Sequence, residues 1–272
     1  MKFGLFTAGY QRLPLEAAFA DARRFGYDFI ELWGGRPHAY AYDLREPAMG
    51  KQLRRLQDEF EIPILVYTPE LNAYPYNFMQ GSEAMRRDCV EYMKAAVEAA
   101  CGMGARYTLI SAGHGGMEAS DEALWQRLVC TLRELAEYAE KLGHCLLLEP
   151  LTPFESNILT SAEQLRRAVR EVSSPALKGM CDVVVPFVQR EPILSYIDKL
   201  GGDLCHMHIT DSNGHSEDHV MPGEGVMPLP ELMKELTCAG YDGTVTIELV
   251  TNYINEPRLY ACRALHRLKE LL

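Results

Sequence analysis

Eight times along this chain a short apolar run of strand character is followed by a longer segment with apolar residues at helical spacing, an alternation that leaves few folds open. Lys2–Thr7, Asp28–Trp33, Pro63–Tyr67, Tyr107–Ser111, Cys145–Glu149, Lys178–Val185, Leu204–Thr210 and Thr244–Val250 read as the strands. Between them the helical pattern is plain: Leu15, Ala18, Phe19, Ala22 and Phe25 share one face, and Gly26 ends that helix. Ser82 and Ser161 stand as N-caps of later helices, and short helical patterns cover Lys51–Phe60 and Pro192–Leu200. Parallel neighbours need a crossover helix, so the alternation predicts a parallel sheet. Eight units close most simply into a (β/α)8 TIM barrel with its active site at the C-terminal strand ends. The 272 residues show no linker or low-complexity break and lie near the roughly 250 of one such barrel, so residues 1–272 are expected to form a single catalytic domain. A doubly wound open sheet is the alternative, but no G-x-G-x-x-G follows the first strand.

Charge narrows the partners. A formal net charge of −11 opposes binding to a nucleic-acid backbone, which calls for a basic footprint. No stretch approaches the ~20 apolar residues of a membrane span, and the opening MKFGLFTAGYQRLP has too short an apolar run for a secretory signal. Eight scattered cysteines without a C-x-x-C pair are expected to be reduced, in keeping with a cytoplasmic location. Nothing in the sequence names an interface for a homo-oligomer.

In such a barrel the ends of the strands meet at one mouth, which brings Glu149, Asp182, His208 and Glu248 together. Three carboxylates crowded there repel unless a cation lies among them. Three oxygen donors and one imidazole suit a hard or borderline divalent ion, Mn²⁺ first, with Co²⁺, Mg²⁺, Ni²⁺ or Zn²⁺ as alternatives. His206 shares the face of His208 one pleat deeper and reads as a hydrogen-bonded inner residue. Tyr67, Glu70, His114, Glu155, Asn157 and Arg36 lie in or beside mouth loops and are expected to contact a bound polar molecule. His38, His215 and His219 occupy polar loops and read as solvated or lid residues; the loop at 211–225 has the glycines and the length of a lid. The aromatic stretch LNAYPYNFMQG, residues 71–81, reads as a loop that covers a pocket.

Whole phrases of the chain resemble the xylose-isomerase-like barrels that include the sugar 3-epimerases: QRLP at 11–14, ELWGGRPHA at 31–39, YTPE at 67–70, NAYPYN at 72–77, LEPLTPFESN at 148–157, PGEG at 222–225, MPLPELM at 227–233, ELV at 248–250 and NEPRLYA at 255–261. The resemblance runs nearly end to end. It implies a divalent metal on Glu149, Asp182, His208 and Glu248, the set already reached from strand position. It also implies that Glu149 and Glu248 act as acid and base on opposite faces of the substrate, and that Glu155 binds a sugar hydroxyl. One departure stands out: the tagatose-type enzymes carry a histidine and an arginine where this chain has Val185 and Gly214. Those residues contact simple sugars, so the carbon-1 end of the pocket is expected to differ here and to accept something other than a plain hydroxyl.

The expected reaction is inversion at carbon 3 of a ketosamine, fructoselysine to psicoselysine, by removal of a proton beside the carbonyl and its return through a metal-stabilised enediolate. The lysine arm is expected among Tyr40, Tyr42, Tyr74 and Tyr76. The rival readings are an epimerase or isomerase of another ketose, polyol or keto acid, a metal phosphodiesterase of the endonuclease IV kind, and a sugar-binding barrel without catalysis.

Overall fold

The computed structural model describes residues 1–71 and 76–272 of the chain. Eight parallel strands pair in sequence order: β1 (Lys2–Phe6), β2 (Phe29–Gly34), β3 (Ile64–Pro69), β4 (Tyr107–Ser111), β5 (Cys145–Glu149), β6 (Leu177–Asp182), β7 (Leu204–His208) and β8 (Thr244–Ile247). Lys2 opposite Thr244 and Leu5 opposite Ile247 join β1 to β8 and close the barrel. The TIM barrel expected from the alternation is the fold observed. Around it lie α1 (Leu15–Phe25), α2 (Pro47–Phe60), α3 (Glu83–Met103), α4 (Asp121–Lys141), α5 (Ala162–Val172), α6 (Val184–Gln189), α7 (Leu194–Leu200), α8 (Leu229–Cys238) and α9 (Pro257–Lys269).

Local chemistry accounts for the helix ends. The hydroxyls of Ser82, Ser120 and Ser161 accept hydrogen bonds from the N–H groups of Met85, Ala123 and Gln164, each satisfying a donor the first turn leaves open. Helix α2 starts at Pro47, ahead of the expected Lys51, because proline lacks only a donor that the first turn does not use. Strand β6 departs from expectation too. It stops at Asp182 rather than Val185, since the Asp182 carboxylate accepts the Val184 N–H at 2.9 Å and turns Val184–Gln189 into a helix that the apolar pattern concealed.

Strand alternation splits the apolar residues into two layers. Ile30, Leu32, Ile64, Ile110, Leu146, Leu148, Val245 and Ile247 face the helices and join the main core. Phe29, Val66, Tyr107, Leu109, Leu147 and Met180 form a smaller cluster that fills the barrel itself. A β-carbon on Gly4 would lie 2.2 Å from the ring of Phe29, so glycine on β1 is what admits that ring. The cluster closes the barrel below, and above it the inward residues toward the C-terminal ends include Glu31, Thr68, Ser111, Glu149, Asp182 and His208, with Phe6 the apolar neighbour on β1.

Candidate metal centre and active site

The parity that puts Phe29 inside the barrel puts Glu31 there as well, fully buried. Its carboxylate accepts hydrogen bonds from His206 Nε2 at 3.0 Å, from His208 Nε2 at 3.0 Å and from the Thr68 hydroxyl at 2.6 Å. His206 is closed on its other side by the Thr244 hydroxyl, 2.8 Å from Nδ1. Burial by itself would raise the Glu31 pKa, but the two imidazoles hold it well below the usual carboxylate range. His206 is thus the inner, hydrogen-bonded histidine expected from its position. Glu31 was not singled out from the sequence, although a glutamate inside DFIELW on the parity of an inward phenylalanine was a readable sign.

With Nε2 tied to Glu31, His208 turns Nδ1 toward the mouth. That atom is buried and lacks a partner in hydrogen-bond geometry, yet lies 2.5 Å from Glu248 Oε2 and 3.6 Å from Glu149 Oε1. Two carboxylates converging on one imidazole nitrogen, close enough for all three to reach one ion, fit a divalent cation. Asp182 stands beside them, its Oδ2 2.8 Å from His219 Nε2, and His219 lies 3.6 Å from Glu248 Oε2. Among the described residues, Glu149–His208–Glu248 and Asp182–His219–Glu248 are two adjoining groups of metal-ligating type that share Glu248.

Electrostatics follow the crowding. Burial is the main force on Glu149 and, with the neighbouring Glu248 and Asp182, raises its pKa well above normal despite the opposing His208. Burial would lower His208, but Glu31 and Glu248 raise it well above the ordinary histidine value. Asp182 is pulled down by His219 against the opposing effect of burial. A positive charge is therefore at home at this mouth, whether carried by protons or by a metal.

A cavity of about 530 Å³ opens over these groups, lined by Phe6, Trp33, Glu70, Glu149, His208 and Glu248 among others. It shares Leu71 and Ser111 with a second cavity of about 640 Å³, whose walls include Tyr76, Met85, His114, Glu118 and Glu155. Glu70 accepts the Trp33 indole N–H at 2.8 Å, and Glu155 accepts the Thr152 hydroxyl at 2.9 Å. Asn157 spans the loop after β4, accepting from Gly115 N–H at 2.8 Å and donating to the Gly116 carbonyl at 3.0 Å.

Other residues expected at the mouth are placed elsewhere. Tyr67 is fully buried on the helix-facing side and donates its hydroxyl to the Ala39 carbonyl at 2.7 Å. Arg36 lies at the surface, paired with Asp43 at 2.6 Å and stacked over Tyr40. Tyr40 and Tyr76 stack on Tyr92, and Tyr42 meets it edge-on, so these rings pack on one another; only Tyr76 lines either cavity, and Tyr74 lies outside the described residues. His38, expected to be solvated or part of a lid, is buried with Nε2 2.8 Å from the Leu13 carbonyl oxygen. His219, likewise expected in solvent or in a lid, is turned inward onto Asp182, next to a backbone tied down at Val220 and Met221. His215 is exposed as expected.

A sequence model of the xylose isomerase-like TIM barrel matches residues 19–271. The chain belongs to this family. Among xylose isomerase-like barrels it is 53% identical, over all 272 of its residues and 98% of the relative's length, to the fructoselysine 3-epimerase of Shigella flexneri. The structure of 3-keto-D-glucoside 4-epimerase from E. coli superposes with a TM-score of 0.84 over 99% of both chains at 17% identity. That of D-psicose 3-epimerase from Clostridium cellulolyticum H10, with D-tagatose, superposes with a TM-score of 0.82 over 100% of this chain and 99% of the other at 20% identity. At those identities the two superpositions speak for the barrel alone. No helix among the described residues is long and apolar enough to cross a membrane.

Proposed function

We propose that this xylose isomerase-like barrel is a metal-dependent isomerase that interconverts fructoselysine and psicoselysine by epimerisation at carbon 3, working in the cytoplasm. The observation that carries this reading is the 53% identity, along the whole chain, to a fructoselysine 3-epimerase. The geometry supports it, since epimerisation needs two proton-transfer groups on opposite faces of one carbon, and the carboxylates of Glu149 and Glu248 both approach His208 Nδ1 from separate strand ends.

Glu149, Asp182, His208 and Glu248 are the residues that would hold the divalent ion, for which we favour Mn²⁺. When bound, that ion supplies a Lewis acid for the negative charge that develops on the substrate oxygens as the carbon-3 proton leaves. The chain's own residues do the rest. One carboxylate oxygen, from Glu248 or Glu149, removes the proton from carbon 3, and the carboxylic acid opposite returns one to the other face. Because the reaction runs in both directions, each of the two carboxylates serves as base in one direction and, carrying the proton it has taken, as acid in the other. Glu31 holds the Nε2–H of His208, so that Nδ1 remains turned to the reacting side.

The arm on carbon 1 is assigned to the second cavity, where Tyr76 and Met85 offer apolar wall and Glu118 and Glu155 offer negative charge to an amine. Proton NMR of fructoselysine incubated with Mn²⁺-loaded protein in deuterated water tests the reading. Deuterium at carbon 3 together with psicoselysine signals is the expected result. Absence of exchange at every carbon, with metal bound, would remove fructoselysine as substrate and redirect the assay to fructose and tagatose.

A further inference from the structure

The loop between β7 and α8 is anchored from within. Asp211 is buried, and its Oδ1 accepts the N–H groups of Ser212 at 2.8 Å and Met227 at 2.9 Å, while Oδ2 accepts those of Gly223 at 2.9 Å and Gly225 at 3.0 Å. Asp211 and Val220 also exchange backbone hydrogen bonds at 2.7 and 2.9 Å, and the Tyr253 hydroxyl accepts the N–H of Met221 at 2.8 Å. A β-carbon on Gly225 would lie 2.3 Å from Asp211 Oδ1, so the chain closes on this carboxylate only with glycine there. The tip at 213–218 is tied by its own side chains, among them Asn213 to Ser216 and Ser216 to Asp218. With Val220 and Met221 fixed, the preceding residue has little freedom. His219 projects into the mouth, with 18% of its side chain exposed, and its Nε2 reaches Asp182.

We propose that His219 is a positioning residue of the metal centre: its Nε2–H donates to Asp182 Oδ2 and fixes the orientation of that carboxylate toward the ion. The opposite oxygen, Oδ1, is held by the Val184 N–H at 2.9 Å. A carboxylate gripped by one donor on each oxygen is locked about its last torsion, while each oxygen keeps a second lone pair for a metal. Asp182 thus receives one donor from the start of α6 and one from a loop more than thirty residues farther along the chain, and Asp211 holds that loop in place. The inference rests on the metal reading above and is independent of which sugar is bound.

Calorimetric titration with Mn²⁺ alone tests it on the wild-type chain, His219→Leu, His219→Gln and Asp211→Asn. His219→Leu fills the space without a donor and should weaken Mn²⁺ binding by about 10- to 100-fold. His219→Gln offers an amide N–H at similar reach and should recover most of that loss. Asp211→Asn turns an amide toward two backbone donors and should weaken Mn²⁺ binding in the same direction while the thermal transition stays cooperative. Wild-type affinity in His219→Leu would overturn the proposal, and unchanged affinity in Asp211→Asn would overturn the part assigned to the loop. A His219→Gln variant as weak as His219→Leu would also overturn it, because the imidazole would then be a direct ligand. Since Mn²⁺ binding is the readout, a chain that responds as expected yet leaves fructoselysine untouched would sink only the assignment of the sugar.

Discussion

The Glu31 carboxylate lies 3.0 Å from the Nε2 of His208, with 176 residues of chain between them. An imidazole that donates through Nε2 presents an unprotonated Nδ1 when neutral, and only that form can ligate a metal. Glu31→Gln keeps the shape but brings an amide that can face Nε2 with a donor of its own. Mn²⁺ affinity should fall by about 10- to 100-fold, measured by calorimetry with circular dichroism as a check on folding. Affinity equal to wild type would show that the tautomer of His208 is set by something else.

Glu149→Gln and Glu248→Gln each remove one of the two proton-transfer groups. Loss of a positioned acid or base typically costs about 10²- to 10⁴-fold in rate, and the loss of a charged donor to the ion adds to it. Turnover of fructoselysine in metal-loaded protein should therefore drop below detection in a routine assay. Appreciable epimerisation by either variant would refute the two-carboxylate scheme.

Removal of metal should lower stability, because Glu149, Asp182 and Glu248 would be left crowded around His208. A ligand present at 100 times its dissociation constant stabilises the folded chain by about 2.7 kcal/mol. For a chain of this size that corresponds to a fall in Tm of roughly 5–10 °C on chelation, restored by Mn²⁺. A melting curve indifferent to chelator would argue against an ion at this mouth.

His144 provides a pH test away from the site. It is buried before β5 with Nε2 2.9 Å from the Thr108 hydroxyl oxygen, and burial lowers its pKa from 6.5 to about 4. Between those values the unfolded chain binds a proton that the folded chain refuses, so this contribution is complete above pH 6.5 and is lost as pH falls toward 4. At pH 5 the loss from this one group amounts to roughly 2 kcal/mol. Denaturant unfolding at pH 7 and pH 5 should show a smaller difference in His144→Gln than in the wild type. Equal differences in the two proteins would remove His144 as the source.

What the sequence alone decided is what depends on neighbours in the chain. Period-two and helical spacing, serine caps and stopping glycines are local signals, and they set the number of strands and their parallel direction, with a closed barrel the simplest arrangement of eight such units. That Glu149, Asp182, His208 and Glu248 meet at one mouth was legible for the same reason, since a strand end marks the mouth whatever the other strands contain. The short helix at Val184–Gln189 escaped because its cause is one hydrogen bond, donated by the Val184 N–H to the Asp182 carboxylate, which an apolar run does not reveal.

The tertiary structure decided the rest, because closing the barrel sets side by side residues that no local pattern links. Glu31 has meaning only once β2 and β7 face each other across the interior, where a lone buried carboxylate would be costly and two imidazoles make it stable. His219 reads as an ordinary loop histidine until Asp211 gathers four backbone N–H groups and folds the loop onto the mouth. The converse holds for Tyr67, whose place beside the mouth in sequence is undone by the strand's pleat, which turns its ring outward to the helices.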